Sequence, residues 1–181
     1  LHRLIRRQRQ MCIRDRFVSD TPPPLTSDQQ AVWNVIQTAI QARQSEVFLL
    51  HGVTGSGKTE IYLRAVDEVL QQGRQAIVLL PEIGLTPQMA HRFGARFGRR
   101  IAIWHSMLTT GELYDTWRRV RAGDVDVVLG PRSALFVPMA RLGLIVVDEE
   151  DSPGYKQGEV PFESAGRPRD RLPPEPRVPL Y

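Results

Sequence analysis

Cysteine is nearly absent from this 181-residue chain: Cys12 is the only one, and it lies within the first 16 residues. The remainder can hold neither a disulfide nor a thiolate-ligated metal, so no zinc site is expected in this piece and a cytoplasmic setting fits. No apolar run approaches the roughly 18 residues needed to cross a bilayer, so no membrane partner is expected. No internal repeat is visible. Excess charge is missing as well, once it is located. Residues 1–16 hold six arginines and one aspartate, net +5, so the formal +4 of the whole chain leaves −1 for residues 17–181. A pI near 9.7 would otherwise suggest a nucleic-acid surface, but here the basicity belongs to the tail.

Three readings suit that tail. It can be an Arg-rich transit peptide, a basic nucleic-acid arm, or a translated sequencing-library adapter, onto which Arg6 to Asp15 back-translates. The adapter reading is favoured, and residues 1–16 are set aside. Residues 17–27 form a Pro-rich linker, residues 28–157 carry alternating structural patterns, and residues 158–181 hold six prolines without apolar periodicity. Such a Pro/Arg-rich end buries no core and reads as irregular, with a frameshift as one origin.

Between these ends the pattern is α/β. Thr26 or Ser27 can cap a helix that carries Val32, Val35, Ile36 and Ile40 at helical spacing. "EVFLLHG" (46–52) predicts a buried parallel strand, followed by a helix from Thr59 to about Gln72 that Gly73 stops. "QAIVLLP", "RIAIWH", "DVDVVLG" and "LGLIVVDEE" predict four further strands, with helices over Leu85 to Phe97 and Thr109 to Ala122 between them. Strands alternating with helices of this length imply a parallel sheet flanked by helices. Trp104 and His105 are expected to pack, Trp117 to be half buried, and the four arginines between His91 and Arg100 to form a solvated face.

Two stretches carry chemistry. Gly52 to Thr59, "GVTGSGKT", fits the G-x-x-x-x-G-K-[ST] phosphate loop between a strand and a helix pattern. Gly55 and Gly57 let the chain curl, so that backbone N–H groups of Thr54, Ser56 and their neighbours face phosphate oxygens. Lys58 is expected on the β- and γ-phosphates, and the Thr59 hydroxyl on Mg²⁺. "LIVVDEED", Leu144 to Asp151, places carboxylates at a strand end, where ligands gather in open α/β sheets. Asp148 is expected to hold the Mg²⁺ and Glu149 to polarise the attacking water. Alone, these features give an ATPase or GTPase of the P-loop class. The Asn-Lys-x-Asp run that reads guanine is absent.

Residues 25–157 also resemble the first motor lobe of the PriA family, superfamily 2 DNA helicases of replication restart. "LTSDQ" (25–29), the Thr-Glu-x-Tyr continuation of the phosphate loop, "LLPEIGLTPQ" (79–88), "GPRSALF" (130–136), "DEED" and "YKQ" (155–157) carry the match. The resemblance implies a RecA-like lobe using ATP and Mg²⁺, with Gln29 reading adenine. It implies Thr86, Arg132 and Ser133 on the phosphates of single-stranded or forked DNA. It also implies primosome proteins and single-strand-binding protein as partners, at the bacterial nucleoid. Asp151 stands where the family has histidine, and the family's next strand does not follow Gln157. The competing readings are a non-catalytic nucleotide- or DNA-binding module and another superfamily 2 translocase.

Overall fold

The computed structural model describes residues 22–81, 86–152 and 155; residues 1–16, the segment 82–85 and the Pro/Arg-rich end 158–181 lie outside the described residues. Thr26 caps α1 (Ser27–Ala42): its hydroxyl accepts from Gln29 N, and the Gln29 side chain accepts in return from Thr26 N. Then follow α2 (Lys58–Gln71), β1 (Gln75–Leu79), α3 (Pro87–Phe97), β2 (Ile101–Ile103), α4 (Thr110–Ala122), β3 (Val127–Gly130) and β4 (Leu142–Val147). Gly73 follows α2 at φ +71, where glycine alone is free of strain.

The four strands form one parallel sheet in the order β2-β3-β1-β4, with Ile77 opposite both Val128 and Ile145. Alternation along β1 divides the core. Ala76, Val78 and Leu80 face Leu63, Val66 and Leu70 of α2 and Phe93 and Phe97 of α3. Ile77 and Leu79 face Val120 of α4 and Ala134 and Val137 beyond β3. Outside α2, Trp33 and Ile40 of α1 pack on Ile61, Ala65 and Val69. Gln75, 1% exposed, and Glu60, 7% exposed, are the buried polar residues among those described; Gln75 sits at the start of β1. Its amide donates to Val125 O and accepts from Arg141 N, both at 2.9 Å, which fixes where β3 and β4 enter the sheet.

Two expectations fail. Residues 46–52 form no strand: Val47 is 99% exposed and Leu49 76%, while Phe48, Leu49 and Leu50 lie along Val32, Val35 and Ile36 of α1. The physical reason is pairing. A strand needs a hydrogen-bonded neighbour. This segment lies on α1 and not on the free edge of β4, which has β1 as its only partner among the described residues and leaves Ile145 and Val147 more than 40% exposed. The second fails at one of the four arginines of 91–100: Arg92, Arg99 and Arg100 are exposed as expected, but Arg96 is not. Arg96 is buried, not solvated, and donates to Glu60 Oε2 at 3.2 Å, each side chain at most 9% exposed. Arg64 completes the cluster at 3.0 Å and also donates to Pro23 O. Helical spacing put Arg96 between Phe93 and Phe97, the two buried rings of α3, but not opposite a specific acid.

The tryptophans behave as expected. Trp104 packs on the second face of the core. Trp117, partly buried, lies parallel to Tyr114 at 6.4 Å with the Arg121 guanidinium 5.2 Å above it.

Candidate nucleotide site

The phosphate loop is built as its glycines predict. Gly55 and Gly57 have φ of +82° and +87°, and α2 begins directly at Lys58. Gly57, the residue before the helix, supplies no side-chain cap, so the first N–H groups of α2 remain available to an anion. Gly57 is favoured by its positive φ, and a Cβ there would push aside the end of the Gln29 side chain, whose Nε2 donates to Ser56 O at 2.8 Å. Lys58 Nζ folds back to donate to Gly52 O and, at 3.1 Å, to Val53 O, holding an ammonium over the curl of the loop. Thr54 is exposed and Thr59 partly buried.

The acidic end of β4 reaches the same place. Asp148 N donates to Leu79 O at 3.0 Å, which extends the β1–β4 ladder by one residue and fixes the Asp148 backbone. The Asp148 carboxylate accepts from the Tyr62 hydroxyl, with 3.3 Å between Oδ1 and the phenol oxygen. Tyr62 lies one turn along α2 from Lys58 and Thr59, on their face of the helix, so the carboxylate stands over the first turns of α2. Burial, then the Asp148 charge and hydrogen bond, push the Tyr62 hydroxyl well above its ordinary range, so it remains a proton donor. Glu149 is exposed and has φ +51, a left-handed conformation unusual for a residue with a side chain.

The donor set suits a hard cation bound largely by phosphate and water. The Thr59 hydroxyl lies in the first turn of α2 and the Asp148 carboxylate is bonded to Tyr62 one turn further along, and no group of three His, Cys, Asp or Glu that could hold a metal by itself exists among the described residues. That is how Mg²⁺ is held in sites shared with phosphates.

The remaining expected residues sit at the same end of the sheet, after β1 and β3. The Thr86 hydroxyl caps α3 by accepting from Met89 N at 3.2 Å. Arg132 and Ser133 are exposed on a 3₁₀ turn, Arg132–Phe136, and Arg132 Nη1 donates to Tyr155 O at 3.2 Å. That bond ties the turn to the segment following the acidic run. Burial, with the Asp148 and Glu149 charges, raises the Tyr155 hydroxyl to about 12. Sequence reasoning included Glu60 and Tyr62 in the Thr-Glu-x-Tyr continuation but gave neither a role, although the spacing of Tyr62 from Thr59 carried the signal for the latter.

The sequence profile of DEAD/DEAH box helicases matches residues 26–176. The chain belongs to the DEAD/DEAH box helicase family. Replication restart protein PriA of Bacillus subtilis (strain 168) is 52% identical over 145 residues, 80% of this chain and 18% of that protein. PriA of Chlamydia pneumoniae is 47% identical over 145 residues, 80% of this chain and 19% of that protein. This DEAD/DEAH box helicase chain therefore spans less than a fifth of the length of these relatives, and the resemblance to PriA read from its motifs is borne out. Among solved structures, RecG bound to a three-way DNA junction shares its fold, with a TM-score of 0.63 at 22% identity over 81% of this chain and 22% of that one. The lobe is RecA-like. No described helix is long and apolar enough to cross a membrane.

Proposed function

We propose that residues 28–157 are the ATP-binding motor lobe of a PriA-like, ATP-dependent DNA helicase acting at stalled forks. The observation that carries this reading is the convergence of Asp148 on the phosphate-loop helix through Tyr62. The PriA relatives' 47–52% identity over 145 residues supports the assignment to their line.

In this reading Lys58 leaves the carbonyls of Gly52 and Val53 for the β- and γ-phosphates, and the loop N–H groups from Gly52 through Thr59 take the remaining charge. Thr59 and Asp148 would hold Mg²⁺, which when bound neutralises phosphate charge. Glu149 orients and deprotonates the attacking water. Gln29 reads adenine from beside Ser56. Thr86, Arg132 and Ser133 hold backbone phosphates of single-stranded DNA, a grip indifferent to sequence. Primosome proteins and single-strand-binding protein are the partners implied, in the cytoplasm at the nucleoid.

One lobe supplies only part of the transition-state clamp, and a group such as an arginine finger contributes roughly 10³–10⁵ in related enzymes. The 181-residue chain should therefore bind ATP and hydrolyse it near background. Joining residues 17–157 to a PriA-like second lobe should give DNA-stimulated hydrolysis that Glu149→Gln removes while binding persists. Robust DNA-stimulated turnover by the lone chain, abolished by the same substitution, would overturn the half-site account.

A further inference from the structure

We infer that Tyr62 is a positioning residue for the cation site: its hydroxyl holds one oxygen of Asp148 and so aims the carboxylate at the first turn of α2. The inference rests on the nucleotide and metal reading above and deepens it, because phosphate-loop chemistry by itself asks only for Thr59 and an acid. Three contacts restrict the pair. The Tyr62 ring packs against the core face formed by α2, α3 and β1, which fixes the direction of the phenol. The Asp148 backbone is pinned by its N–H bond to Leu79 O. The hydroxyl then meets Oδ1 at 3.3 Å, and Oδ1 is the carboxylate oxygen so engaged. A carboxylate held at both backbone and one oxygen loses the freedom to swing toward solvent, and its other oxygen is not taken up by Tyr62. Hydrogen-bond partners behind a metal's direct ligands act in this way, and their loss typically weakens metal binding by about 10–100-fold.

The test is calorimetry of ADP with the 181-residue chain, once with Mg²⁺ and once with EDTA, the readout being the ratio of the two affinities. Wild type, Tyr62→Phe, Asp148→Asn and the double variant are compared, each checked by thermal unfolding. Tyr62→Phe keeps the packed ring, so it should lower the Mg²⁺ ratio about tenfold, the low end for such partners, while leaving affinity in EDTA unchanged. In the Asp148→Asn background it should add nothing, since it acts through that carboxylate. An unchanged ratio in a folded Tyr62→Phe protein, an equal loss with and without Mg²⁺, or failure of that variant to fold would each overturn the inference and leave the nucleotide reading standing. A wild-type ratio of one would instead remove the metal reading itself, and the inference with it.

Discussion

The side-chain amide of Gln29 donates to the carbonyl oxygen of Ser56 at 2.8 Å, fastening the start of α1 to the middle of the phosphate loop. Its other end accepts from Thr26 N at 3.0 Å, so one side chain both caps a helix and braces the loop. Gln29→Ala removes both bonds but spares the Thr26 hydroxyl cap. It should cost about 1 kcal/mol of stability, in the range of a lost cap. Urea denaturation measures that, and nucleotide titration should show poorer discrimination between ATP and GTP.

Gly57→Ala meets two obstacles, a positive φ and the Gln29 amide. We expect nucleotide affinity to fall at least tenfold, with Gly123→Ala, also at positive φ but in open space, as the control that leaves affinity unchanged. Equal losses in both variants would show general destabilisation and not an effect at the loop.

The cluster of Glu60, Arg64 and Arg96 ties α2 to α3 through a buried carboxylate. Glu60→Ala leaves cations without it and should destabilise by about 3 kcal/mol, at the low end for breaking a buried pair. Urea denaturation decides this. A change below about 1 kcal/mol would show a solvated ion pair, as the arginine run suggested from sequence.

The tyrosines predict an alkaline weakness. Tyr155 titrates at about 12 in the folded chain against an ordinary 10.0, and Tyr62 is raised further. The folded state thus holds protons that the unfolded state releases first. Stability from these groups is complete below pH 10 and is lost as pH rises from there through the folded values. Tyrosinate absorbance should show late titration at both sites, and Tyr155→Phe should flatten the loss between pH 10 and 12. Titration of every tyrosine near its ordinary value would contradict this.

Much of the lobe was legible because its signals are local. The continuous apolar runs of "QAIVL" and "DVVLG", the Thr26 cap, and the glycines of the phosphate loop depend on neighbours in sequence. What escaped is long-range. "EVFLLHG" has every local mark of a buried strand, yet a strand exists only where it is hydrogen-bonded to another, and whether it docks on α1 or on the edge of β4 is not written in its seven residues. Glu60 with Arg96 and Tyr62 with Asp148 join residues 36 and 86 positions apart, visible only once the sheet has brought their elements together. Hydrogen exchange checks the strand directly. Amides of residues 46–50 should exchange far faster than those of Gln75–Leu79, and equal protection would mean that the segment pairs after all.

The account stands most directly on nucleotide binding at the loop. Calorimetric titration of the 181-residue chain with Mg·ADP should show one site. Lys58→Ala should weaken it by about ten- to a hundredfold, the worth of a charge-assisted hydrogen bond to phosphate. Equal affinity in the wild type and Lys58→Ala, or no binding in either, would contradict the assignment of Gly52 to Thr59 as a phosphate cradle.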